Sequence, residues 1–122
     1  MSVTMASESS PGRKTSRRND PAVLIMTSLA SGPKHGYALA RDIERFAGIT
    51  LGPGTLYGAI TTLEDNGLIE PTGQDVRRRP YQLTAAGRGE LTAAVRTWGA
   101  IASEGARRLG ISLPAADPGW VQ

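Results

Sequence analysis

Arg77, Arg78 and Arg79 form the densest positive run in this chain, and Gly54, Thr55, Tyr57, Gly58, Thr61 and Thr62 lie a short way upstream on one side of a helical pattern. Guanidinium groups neutralise phosphates. Threonine hydroxyls bond phosphate or base edges, threonine methyls pack on thymine methyls, and glycines let another backbone approach closely. These are the means of holding double-stranded DNA. The means of catalysis are missing: the sequence has no cysteine, one histidine, no Gly-x-Ser-x-Gly, and no carboxylate pair set for acid–base work. Gly52, Pro53 and Gly54 lack the lysine of a phosphate-binding loop, so the sequence points away from an enzyme. A lone histidine without cysteine implies neither a metal site nor a cofactor, and His35 reads as a turn and packing residue.

The elements that must carry these residues can be read from punctuation and periodicity. Asp20 before Pro21 signals a helix start, because aspartate caps free amides and proline is tolerated where no donor is needed. Val23, Leu24, Ile25, Met26 and Leu29 then form a first apolar helix, broken by Ser31, Gly32 and Pro33. A second helix runs from Gly36 with Leu39, Ile43 and Phe46 on one face and stops at Gly48. Gly52 and Pro53 open a third. Its Leu56, Ile60 and Leu63 point inward, which turns the threonine and glycine face outward with Tyr57 at its border.

Past Asn66 and Gly67 the period changes to that of strands. Leu68–Glu70 and Tyr81–Leu83 bracket the polar stretch that holds the arginines, which predicts a β-hairpin whose second strand is an edge or begins at Pro80. Thr84 then caps a long last helix in which Leu91, Val95, Trp98, Ala102, Gly105 and Leu109 repeat at heptad spacing. Gly99 and Gly105 each cost such a helix about 1 kcal/mol relative to alanine, so it needs a partner surface. The expected organisation is a basic, disordered arm over residues 1–19 with Arg13, Lys14, Arg17 and Arg18, a DNA-binding domain over 20–83, a dimerisation helix over 84–110 and an irregular tail over 111–122.

The 122 residues, 39% hydrophobic, suffice for one modest core, and a net charge of +3 suits an anionic partner when it is clustered. Without cysteine, an apolar span or a secretory signal, the chain is expected to be soluble, cytoplasmic and without a membrane partner.

Helix, helix, helix, hairpin, helix is the order of a winged helix-turn-helix, a mainly α fold with a small β-hairpin wing. Within that order stand HisGlyTyr at 35–37, ProGlyThrLeuTyr at 53–57, LeuGluAspAsnGlyLeuIle at 63–69 and TyrGlnLeuThrAlaAlaGly at 81–87. Together these motifs resemble the PadR family of transcriptional regulators over residues 22 to about 109, in its short form with a single C-terminal helix. The resemblance implies a DNA-binding repressor, dimeric through the last helix and often released by a small effector. The dimer would read an inverted-repeat operator.

Two positions depart from the family's habit. Thr61 and Thr62 stand where lysine or arginine is common, so affinity would lean on the wing and the arm. Pro80 replaces an aromatic or basic strand residue. Trp98 admits two roles, a dimer-core aromatic or, beside Val95 and Ala102, a platform for a planar apolar effector as in multidrug-responsive members. The competing reading of the whole is a winged-helix protein-interaction module, favoured by a third helix free of basic residues and opposed by the arginines of the wing.

Overall fold

A computed structural model of the chain describes residues 20–73 and 79–114. Its elements in order are α1 (Pro21–Leu29), α2 (Gly36–Ala47), α3 (Pro53–Asp65), β1 (Ile69–Pro71), β2 (Tyr81–Leu83) and α4 (Ala85–Leu109). This is the mainly helical class with one small hairpin. The basic arm expected over 1–19 and the part of the tail beyond residue 114 lie outside the described residues.

Helix α1 is the hub. Asp20 accepts a hydrogen bond from the Ala22 amide at 3.0 Å to cap it, and Pro21 occupies its first turn. Leu24, Ile25, Met26 and Leu29 are all buried, a pattern too broad for an amphipathic surface helix. The reason is that α2, α3, α4 and β2 all pack against it. Leu39 and Ile43 from α2, Leu56, Ile60 and Leu63 from α3, Ile69 from β1 and Leu91 from α4 complete one core. Phe46, expected on the buried face of α2, is 38% exposed in the last turn, so the buried line of that helix ends at Ile43.

One polar group is enclosed in this apolar hub. Ser28, 1% exposed, donates from its hydroxyl to Asp42 Oδ2 at 2.6 Å, and Arg45 meets the other carboxylate oxygen at 2.9 Å. Lys34 reaches back from the α1–α2 turn to donate to the Ser28 carbonyl at 2.6 Å and the Ser31 hydroxyl at 2.9 Å. These bonds tie α1, its exit turn and α2 together and give both the hydroxyl and the carbonyl of buried Ser28 a partner. Burial by itself raises the Asp42 carboxyl. The bonds from Ser28 and Arg45, with the charges of Lys34 and Arg45, outweigh it and hold the group below its ordinary 3.8.

A carboxyl depressed on folding stabilises the fold above its unfolded value and loses that contribution as pH falls through the folded one. Asp42→Ala is therefore expected to destabilise by about 1.5–3 kcal/mol at neutral pH, and by much less in acid below both values. Urea midpoints of the two proteins at neutral and strongly acid pH check this; an equal gap at both would remove the charge from the account.

The hairpin is antiparallel, pairing Ile69 with Leu83, Glu70 with Gln82 and Pro71 with Tyr81. Its second strand begins just past Pro80, whose carbonyl still accepts from the Thr72 amide at 2.7 Å. A third segment joins it that the sequence pattern did not predict. Lys34 and Tyr81 exchange backbone hydrogen bonds of 3.1 and 2.8 Å, which pins the α1–α2 turn to the outer edge of β2.

Thr84 caps α4 by accepting from the Gly87 amide at 3.0 Å while donating to the Gly67 carbonyl at 2.6 Å. At the far end Gly110 adopts φ +71°, and the Ile111 amide donates to the Ala106 carbonyl at 3.0 Å, the left-handed closure that glycine favours. Glu104 receives both Arg107 and Arg108 in the last turns, which holds its carboxyl below the usual range. Cations there also suit the negative end of the helix dipole.

Candidate nucleic-acid interface

Helix α3 divides as its spacing predicts. Leu56, Ile60 and Leu63 are buried, while Gly54, Thr55, Tyr57, Gly58, Thr61 and Thr62 are exposed on the opposite side. The hydroxyls of Thr61 and Thr62 are engaged, however, donating to the carbonyls of Tyr57 at 3.0 Å and Gly58 at 3.1 Å within their own helix. A methyl added at Gly54 or Gly58 would meet nothing, so neither glycine is required by packing inside the chain.

Gly36 and Gly87 are different. At Gly36 a methyl would stand 2.2 Å from the Tyr57 hydroxyl, which places the tyrosine of one motif directly over the glycine of another. At Gly87 it would stand 1.9 Å from the Leu68 carbonyl oxygen. The four sequence motifs are thus two contacts: α2 on α3 through Gly36 and Tyr57, and the start of α4 on the approach to β1 through Gly87 and Leu68. His35 stands at the N-cap of α2 in the turn, as expected, but it is exposed and makes no side-chain cap bond, so the packing expected of it is not found.

Among the arginines of the wing, Arg79 is half-buried at the entry to β2, while Arg77 and Arg78 lie outside the described residues. The stretch from residue 46 to 76 contains no lysine or arginine, and Glu64, Asp65 and Glu70 give it acidic character. Sequence reasoning passed over the outer face of α2. There Arg41 donates to the Tyr37 hydroxyl at 2.9 Å with its guanidinium 5.6 Å from the ring centre. Tyr37, Ala38, Arg41, Asp42 and Arg45 line a shallow hollow of about 500 Å³. The spacing of Tyr37, Arg41 and Arg45 by four was the available signal.

Of the seam expected on α4, Leu91 belongs instead to the core of its own chain, because the first turns of α4 dock on α1. Beyond it the same line continues uncovered, with Val95 56%, Trp98 42% and Leu109 73% exposed and Ala102 beside them. Ile101, 66% exposed, widens this apolar surface. Among the described residues no group of three histidine, cysteine or acidic side chains could hold a metal, and no helix is long and apolar enough to cross a membrane.

Three helices, a hairpin packed on them and an outward α3 beside it define a winged helix-turn-helix protein. The chain belongs to the PadR-like family of transcriptional regulators, whose family model matches residues 25–93. These are regulators rather than enzymes. Among solved structures, a PadR family transcription regulator of Clostridium difficile superposes with a TM-score of 0.65 at 24% identity, covering 73% of this chain and 97% of that one. A PadR-like transcriptional regulator of Bacillus cereus gives 0.68 at 18% identity, covering 78% and 96%. In sequence, an uncharacterized transposon protein of Streptomyces fradiae is 49% identical over 72 residues. Those residues are 59% of this chain and 21% of the relative, so the chain spans about a fifth of that protein's length.

Proposed function

We propose that this chain is a cytoplasmic, homodimeric transcriptional repressor that binds an inverted-repeat operator and is released by a small apolar effector. The observation that carries the reading is the exposed outer face of α3, from Gly54 to Thr62, set beside the hairpin in a chain of a transcriptional-regulator family. The uncovered stripe of Val95, Trp98, Ala102 and Leu109 supports pairing through α4, since large apolar side chains exposed along one helical line favour association. Two copies joined there would present their α3 helices to successive major grooves about 34 Å apart. Arg77, Arg78 and Arg79 serve as phosphate contacts in this scheme, and Trp98 either fills the dimer core or forms one wall of the effector site.

Binding to fragments upstream of the chain's own gene, with excess nonspecific competitor and at two salt concentrations, tests the proposal. A complex that survives competitor is expected, and Arg78→Ala with Arg79→Ala should weaken it across sequences and flatten its salt dependence by about two charges per protomer. A protein-interaction module is the second reading, favoured by an α3 without a basic residue. Its mark would be binding that vanishes under competitor.

A further inference from the structure

The hydrogen bonds of Thr61 and Thr62 decide what α3 can read. Each hydroxyl hydrogen is bound to a carbonyl one turn back, at 3.0 and 3.1 Å. What these side chains still offer outward is an acceptor oxygen and a methyl group. In the major groove an acceptor suits the amino group of adenine or cytosine, and a methyl suits the methyl of thymine. Adenine and thymine supply both on one base pair. Guanine presents two acceptors, which ask for donors of the arginine or lysine kind.

No such donor exists between residues 46 and 76, and Asp65 on the same exposed side repels acceptors. Gly54 and Gly58 add to the argument. Each lowers helix stability relative to alanine, neither is needed by packing within the chain, and their lack of side chains lets the flanking threonines reach the groove floor.

We propose that Thr61 and Thr62 are specificity-determining residues that read an A·T step in each half-site through the thymine methyl, with no guanine contact at that step. The inference rests on the DNA-binding reading above. Phosphate affinity is then supplied by the wing, and sequence choice by apolar contact.

The test replaces each thymine of the recovered operator, together with its symmetry mate, by deoxyuracil, which removes the methyl and keeps every hydrogen-bonding group. Loss of one methyl contact corresponds to about threefold to fourfold in affinity, roughly tenfold when both half-sites change. That loss is expected at one or two positions with the native protein, and should disappear in Thr61→Ser with Thr62→Ser, which keeps both hydroxyls and lacks both methyls. Uracil tolerated at every position, or an equal loss in the two proteins, overturns the methyl readout while leaving a DNA-binding regulator in place. Failure to hold any fragment against competitor overturns that regulator reading itself, and the readout with it.

Discussion

Replacing Gly87 by alanine is expected to lower stability by about 3 kcal/mol, while the same change at Gly89 raises it by about 0.8–1 kcal/mol. The two glycines lie two residues apart in the first turns of one helix. At Gly87 the added methyl would fall 1.9 Å from the Leu68 carbonyl oxygen and 3.0 Å from the Leu83 side chain. That carbonyl also accepts from the Thr84 amide at 3.1 Å, so it cannot withdraw without breaking the capping structure of α4. Gly89 faces open space, and there only the helix propensity of alanine acts. Urea denaturation of both variants against the native protein reads the difference. Native stability for Gly87→Ala would mean that the junction of β1 and α4 yields more easily than its contacts imply.

The second large effect concerns α4 beyond the core. Trp98→Glu is expected to convert the proposed homodimer into a folded monomer and to abolish tight operator binding. A central interfacial tryptophan is worth about 2 kcal/mol or more, and each of two protomers contributes one, so the dimer should weaken roughly a thousandfold. Trp98 lies outside the core that joins α1, α2 and α3, so the helical signal in circular dichroism should persist. Sedimentation equilibrium distinguishes the states. A dimer of native affinity would place the interface on another surface and leave Trp98 as a candidate ligand platform alone.

Much of this architecture is legible in the sequence because its signals are local. Asp20, Gly48, Thr84 and Gly110 bound their helices through caps and positive φ, and Pro53 opens α3 from its first turn, all signals that depend on near neighbours. The outer face of α3 followed from the spacing of Leu56, Ile60 and Leu63. What stayed hidden is what distant segments do to one another. Lys34 follows the Ser31, Gly32, Pro33 break with no pattern of its own, yet it pairs with Tyr81 through the backbone and with the Ser28 carbonyl through its side chain. Leu91 and Val95 share one helical line, and periodicity cannot say that the first meets its own core while the second meets none. The engagement of Thr61 and Thr62 with carbonyls four residues back is invisible to spacing, since threonine permits several rotamers in a helix.

The docking of α4 on α1 has a mechanical consequence. Helix α4 joins the core through Leu91 and continues past it as one unbroken helix to Leu109. If two copies pair through these helices as proposed, each α3 would stand at roughly half the groove repeat, about 17 Å, from the axis between them. A rotation of about 10° about that axis would move α3 by roughly 3 Å, close to the rise of one base pair. In such a pair a slight rotation of the two copies would put both halves out of phase with the double helix, and a ligand bound between them would need to shift them very little.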